Sequence, residues 1–184
     1  MKNKSPVYLK KFLKISLFSA LSVVLSYIQI FQMPQGGSIS LKDLPIVVIS
    51  ILEGPYAGFI TGVIFGILHS LKDSYVVHPL QFLLDYPLAY GFLGLAGIIS
   101  LKNKKGFIKI VLIDLSVIFG ESLRLLIHII SGIVFFKSYV TAGKGLFSYV
   151  IFYNLSFIIP ETVILLMLTP LIIQSMGFMP GEKN

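Results

Sequence analysis

The sequence predicts an all-α integral membrane protein with six transmembrane helices, and three observations carry that prediction. Hydrophobic residues make up 55% of the chain and charged ones only 12%, against about 25% charged in soluble domains. Mean hydropathy is +0.90. Apolar stretches recur from residue 9 to residue 176, separated by short polar or glycine- and proline-bearing connections. No stretch is polar enough to fold separately in water, so residues 1–184 are read as a single domain. The absence of cysteine excludes disulfides, thiol catalysis and cysteine-ligated metals. The net charge of +7 is ascribed to cytoplasmic loops and not to a nucleic-acid surface, since no basic patch interleaved with aromatics occurs.

Helix 1 is expected over about 9–30, behind the lysines at 2, 4, 10, 11 and 14. It is not read as a signal peptide, because no small-residue cleavage site follows and apolar segments continue down the chain. Ser16 and Ala20, four apart, form a small-residue face that suits either close packing inside the bundle or docking of a partner helix. The stretch from Phe31 to Ser40 contains Pro34 and the pair Gly36-Gly37 and no charge, so it is expected to be a surface loop. It serves as a connector or as a lid over a pocket.

Helix 2, about 41–52, is too short to span alone, and is expected to tilt, to break at Pro45 or to be re-entrant. Helix 3, about 56–71, carries Gly58, Gly62 and Gly66 at four-residue spacing, a close-packing face. Helix 4, about 78–101, holds Asp85 in its first turns. A charge there costs about 2.5–3.5 kcal/mol on insertion scales, which favours a functional role over a structural ion pair with Arg124. Helix 5, about 107–136, contains Asp114, Glu121, Arg124 and His128, the last three on one face by spacing. Helix 6, about 146–176, is interrupted by Pro160 and Pro170 and carries Asn154 and Glu161.

Counting sides alternately, ten lysines fall on one side (2, 4, 10, 11, 14, 102, 104, 105, 109 and 183) and four on the other (42, 72, 137 and 144). The positive-inside rule then places both termini in the cytoplasm. With that orientation Asp85, His128, Tyr149 and Asn154 lie at one depth, roughly 5–12 Å from the outer surface at 1.5 Å rise per residue. They point to a pocket that opens outward. Tyr75, Tyr86, Tyr149, Phe135 and Phe136 would ring the acid, an arrangement suited to a flat cationic ligand through stacking, cation–π attraction and charge pairing. Each aromatic taken alone fits a membrane-interface belt equally well.

The blocks MPQGGSIS (33–40), HPLQFLLDYPLAY (78–90), LIHIISGIVFF (126–136) and YVIFYN (149–154) resemble the ThiT family, the thiamine-specific substrate-binding subunits of energy-coupling factor (ECF) transporters. The resemblance covers nearly the whole chain in order. It implies the six-helix S-component fold and capture of thiamine (vitamin B1) from outside. It also implies energisation by a partner ECF module of two ATPases and a transmembrane coupling protein, in the bacterial plasma membrane. Position by position, it implies that Asp85 binds the aminopyrimidine and that Tyr86, Tyr75, His128, Tyr149 and Asn154 complete the pocket. Phe136 stands where some members have tryptophan, which this chain lacks altogether. Ser16 and Ala20 fall on the motif by which helix 1 docks on the coupling protein. No cofactor or metal is expected.

Other classes are weaker. An intramembrane hydrolase lacks a paired catalytic motif, a stand-alone transporter lacks internal repeats, and no GxxxxGK[ST] is present for ATP hydrolysis. Within the ECF class the alternative is an S component for riboflavin or for a thiamine precursor. Riboflavin is uncharged and does not call for Asp85.

Overall fold

The computed structural model describes residues 5–33, 36–72, 75–139 and 145–176. Expectations that touch Pro34 and the lysines at 2, 4, 144 and 183 lie outside the described residues. Among those described, six helical segments run back and forth in one bundle.

Helix α1 covers Ser5–Ser26, so the expected 9–30 is shifted toward the N-terminus. Gln29–Gln32 (β1) then pairs antiparallel with Ser38–Ser40 (β2). Much of the expected loop is therefore a short hairpin. Strand pairing satisfies backbone N–H and C=O groups that a coil would leave unpaired beside lipid.

Helix α2 covers Leu44–Glu53, and every residue from Leu44 to Ile51 is buried. The break expected at Pro45 does not occur, because this proline sits in the first turn, where a missing N–H costs nothing. Helix α2 is short because it lies wholly within the protein. Helix α3, Pro55–Ser70, packs its glycine stripe directly on the fourth segment. A Cβ on Gly62 would lie 1.9 Å from the Tyr90 carbonyl oxygen and one on Gly58 2.2 Å from that of Gly94. Only glycine permits that approach.

The fourth segment, expected as one regular helix over 78–101, is a composite. It consists of α4 (Pro79–Leu83), a π-helical turn (Leu84–Leu88), α5 (Ala89–Leu93) and a 3₁₀ run (Gly94–Ile98). Pro87 lies in the π turn, whose wider winding accommodates a residue with no N–H to donate. Helices α6 (Gly106–Phe135) and α7 (Leu146–Ser175) lie within one residue of expectation. Pro160 and Pro170 fall inside α7 without ending it. Taken by length and composition, α7 can cross a membrane, with a mean hydropathy of 2.1.

The bundle is inside-out relative to a soluble protein. Phe12, Leu17, Phe107, Phe152, Met167 and Leu171 are exposed, whereas Lys42, Asp43, Glu121, Arg124 and Glu161 are at most 2% exposed. Lipid in place of water explains both observations. Arg124 does not pair with Asp85. Its guanidinium donates to Asp43 (2.6 Å), Glu161 (2.9 Å) and Glu121 (3.3 Å). Lys42 joins the same network through Glu161. It is therefore buried and leaves the count of surface lysines, which lowers the smaller side of the charge asymmetry further.

This network ties α2, α6 and α7 together. Its net worth is modest, since burying ions offsets much of their attraction, but removing one partner strands the rest. Arg124→Leu leaves three carboxylates facing Lys42 alone. It is expected to destabilise the protein by about 3–5 kcal/mol, read as a clear fall in melting temperature of the detergent-solubilised protein. An unchanged melting temperature would show that the network carries no such weight.

Candidate functional site

At the hairpin end, the fourth segment, α6, α7 and the hairpin enclose a cavity of about 780 Å³, counting its mouth. All seven residues expected from the sequence line it: Tyr75, Asp85, Tyr86, His128, Phe136, Tyr149 and Asn154.

Asp85 owes its position to the π turn, which is seated on α3 by Gly66. A Cβ on Gly66 would lie 2.4 Å from the Tyr86 carbonyl oxygen. One carboxylate oxygen of Asp85 accepts from the Gln81 amide at 2.6 Å, and the other meets His128 Nδ1 at 3.2 Å. The Asp85 side chain is 16% exposed. It thus sits in the cavity wall, neither sealed in nor open to bulk solvent.

The aromatic residues are locked against one another or the backbone. The Tyr86 hydroxyl accepts from the Tyr75 backbone N–H at 2.9 Å. Tyr75 stacks on Phe136 with ring centroids 6.0 Å apart, and Tyr149 stacks on Tyr153 at 6.2 Å. Asn154 donates to the Val150 carbonyl at 2.9 Å. Phe135 is the exception among the expected ring. It turns away to stack on His78 at 5.1 Å, because the next residue, Phe136, already takes the cavity side of the helix end.

Several lining residues were not assigned to the pocket from the sequence, Arg124 among them although it was placed on one helix face with His128. Tyr153 and Phe157 continue the α7 stripe begun by Tyr149, at four-residue spacing. Gln81 lies one turn before Asp85, and Arg124 one turn before His128. Helical spacing from the recognised residues could have found these four. Lys42 carried no such signal, since nothing local marks a loop lysine as buried.

The hairpin roofs this space. Gly36, Gly37 and Ser38 line the cavity, and the Gly37 N–H donates to the Tyr153 hydroxyl at 3.2 Å. A Cβ on Gly37 would lie 2.7 Å from the Phe157 ring. Below, Arg124 stands over the Tyr90 ring at 5.1 Å and the Phe157 ring at 5.8 Å. The formal charges around this floor are two positive (Lys42, Arg124) against three negative (Asp43, Glu121, Glu161), and Asp85 adds a fourth negative above them. Of the charged side chains that line the cavity, Lys42 and Arg124 are paired from behind by Glu161 and Asp43, which leaves Asp85 as the carboxylate that faces the aromatic wall. This chemistry fits a flat ligand that carries positive charge and N–H donors.

A family model described as thiamine transporter protein (Thia_YuaJ) matches residues 12–178. The chain belongs to this family. Among thiamine transporter proteins, ThiT of Bacillus subtilis (strain 168) is 32% identical over 165 residues, 85% of this chain and 86% of that one. ThiT of Lacticaseibacillus paracasei (strain ATCC 334) is 27% identical over 157 residues, 77% of this chain and 76% of that one. The structure of ThiT from Listeria monocytogenes superposes with a TM-score of 0.83 at 25% identity, covering 92% of this chain and 96% of that chain. The S component of a bacterial ECF transporter shares the fold, with a TM-score of 0.60 at 22% identity over the same shares. This member of the thiamine transporter family has no tryptophan, so the aromatic rings of its cavity are those of tyrosine, phenylalanine and histidine.

Proposed function

We propose that the protein captures thiamine in the cavity at the hairpin end and delivers it for uptake as the substrate-binding subunit of an ECF-type transporter. It is a transport subunit and not an enzyme, a multi-pass protein of the bacterial cell membrane. The observation that carries the choice of ligand is Asp85, held at the cavity wall among Tyr75, Tyr86, Tyr149 and Phe136. A thiazolium cation and an aminopyrimidine supply the charge and the donors that such a wall selects. Riboflavin, uncharged, brings no positive charge to Asp85, and covering a carboxylate without a counter-charge opposes binding.

Energy comes from an ECF module. Its composition, one transmembrane coupling protein and two ATPases, is our reading from the family resemblance. So is the orientation, with the cavity facing outward and both termini cytoplasmic, which rests on the lysine asymmetry. Lys11 and Lys14 meet Glu53 at the end of the bundle remote from the hairpin, so the basic end of α1 and the cavity lie at opposite ends. Ser16 and Ala20 lie on the exposed side of α1, whereas Ser19 and Ser22 are buried. That division favours docking of a partner over internal packing.

The reading is tested by calorimetry of the purified protein with thiamine, a thiamine precursor bearing only the aminopyrimidine, and riboflavin. Saturable heat with thiamine at one site per chain and none with riboflavin is expected. Absence of thiamine heat, or tighter binding of riboflavin, would overturn it.

A further inference from the structure

The Asp85–His128 pair is held by a third residue whose hydrogen bonds leave no choice of direction. Gln81 is 1% exposed and lies one turn before Asp85. Its Oε1 accepts from the Val77 backbone N–H at 3.1 Å, and its Nε2 donates to the Tyr75 carbonyl at 3.1 Å and to Asp85 at 2.6 Å. An N–H can only donate and a C=O can only accept, so the loop at 75–77 fixes which end of the amide faces Asp85. An ionised Asp85 only accepts. His128 must then donate from Nδ1, and a neutral imidazole carries no proton on Nε2. His128 Nε2 is buried and has no hydrogen-bond partner among the described residues, on a side chain that lines the cavity.

We propose that Gln81 is a positioning residue of the binding site, whose amide, oriented by the 75–77 loop, holds Asp85 so that His128 is protonated on Nδ1 and keeps Nε2 as a bare acceptor. Three consequences follow. A carboxylate cannot replace the amide, since it would set acceptor against acceptor at both Tyr75 and Asp85. The ligand must bring a donor N–H or O–H to Nε2, because a buried acceptor left unpaired costs about 1–3 kcal/mol. The loop bearing Tyr75 and the acid are also held as one unit, so the aromatic and ionic contacts to a ligand form together.

This inference rests on the reading of the cavity as the ligand site, but its first test needs no ligand. In protein labelled with ¹⁵N-histidine at pH 7.5, the His128 resonances, assigned through His128→Gln, are expected to show Nδ1 protonated and Nε2 not. Nε2–H, or an imidazolium protonated at both nitrogens, would overturn the proposal from the wild-type spectrum alone. In Gln81→Leu the preference for Nδ1–H should weaken, and the thiamine Kd should rise roughly ten- to a hundredfold, the range set by one lost buried partner. Gln81→Glu, of the same shape, should bind no better than Gln81→Leu. Melting temperatures identify any variant that fails to fold, and the wild-type spectrum decides even then. A Gln81→Leu protein with an unchanged His128 spectrum, or with Kd within twofold of wild type, would refute the positioning role. If wild type shows the expected tautomer yet gives no heat with thiamine, the ligand assignment fails while the hydrogen-bond order stands.

Discussion

Asp85→Asn is expected to weaken thiamine binding by about 2–5 kcal/mol, roughly 30- to 4,000-fold in Kd, while leaving the fold intact. The change is nearly isosteric, so packing in the π turn is preserved. What disappears is the formal charge that faces the ligand cation and one of the two acceptors now used by Gln81 and His128. The new amide N–H₂ faces either the Gln81 amide N–H₂, donor against donor, or His128 Nδ1, which can accept it only by moving the imidazole proton to Nε2. The loss should therefore exceed that of a single neutral hydrogen bond. Calorimetry of variant and wild type, with melting temperatures as a control, reads both quantities. Binding within twofold of wild type would remove Asp85 from the recognition of the ligand.

Ser16→Trp combined with Ala20→Trp is expected to abolish ATP-dependent thiamine uptake while leaving affinity nearly unchanged. Both positions are on the exposed side of α1, and Ser19, one residue away from Ala20, faces inward to donate to the Thr61 carbonyl at 3.3 Å. Indoles at 16 and 20 thus project away from the protein and hold off any helix that needs close approach, which small residues alone permit. The cavity lies at the other end of the bundle and shares no residue with this face. Uptake is measured in cells that also express the coupling module, and affinity with the purified double variant. Uptake at the wild-type rate would refute docking at this face, and lost binding would mean that the face serves the fold of the protein itself.

Both predictions use residues that could be named from the chain alone, and the reason is physical. A carboxylate in an apolar segment is costly wherever it lies, so Asp85 is conspicuous without coordinates. Small residues four apart share a helix face whatever the fold. Lipid further narrows the spanning structures to helices or closed barrels, so composition and the length of the apolar runs were enough for the class and for the ends of α6 and α7. Aromatic residues were harder, because a pocket wall and an interface belt use the same side chains. Phe135 and Phe136, adjacent in sequence, go to different neighbours, His78 and Tyr75.

Local pattern could not supply the partners of the buried charges. Arg124 has both Asp85 and Glu121 as plausible acceptors in sequence, yet it binds Asp43, 81 residues away, and Glu161, 37 away, as well as Glu121. The burial of Lys42 depends on α2 being surrounded, and the short length of α2 reads equally as tilt or re-entry until its neighbours are known. The π turn follows from a proline that must be accommodated against the α3 glycines, a contact between separate helices. Composition, spacing and the cost of charge in lipid thus determined the membrane class, the order of the helices and the acid at the site. The tertiary structure decided which charges neutralise one another, which amide orients the acid and where the hairpin lies, because each depends on contacts between segments far apart in the chain.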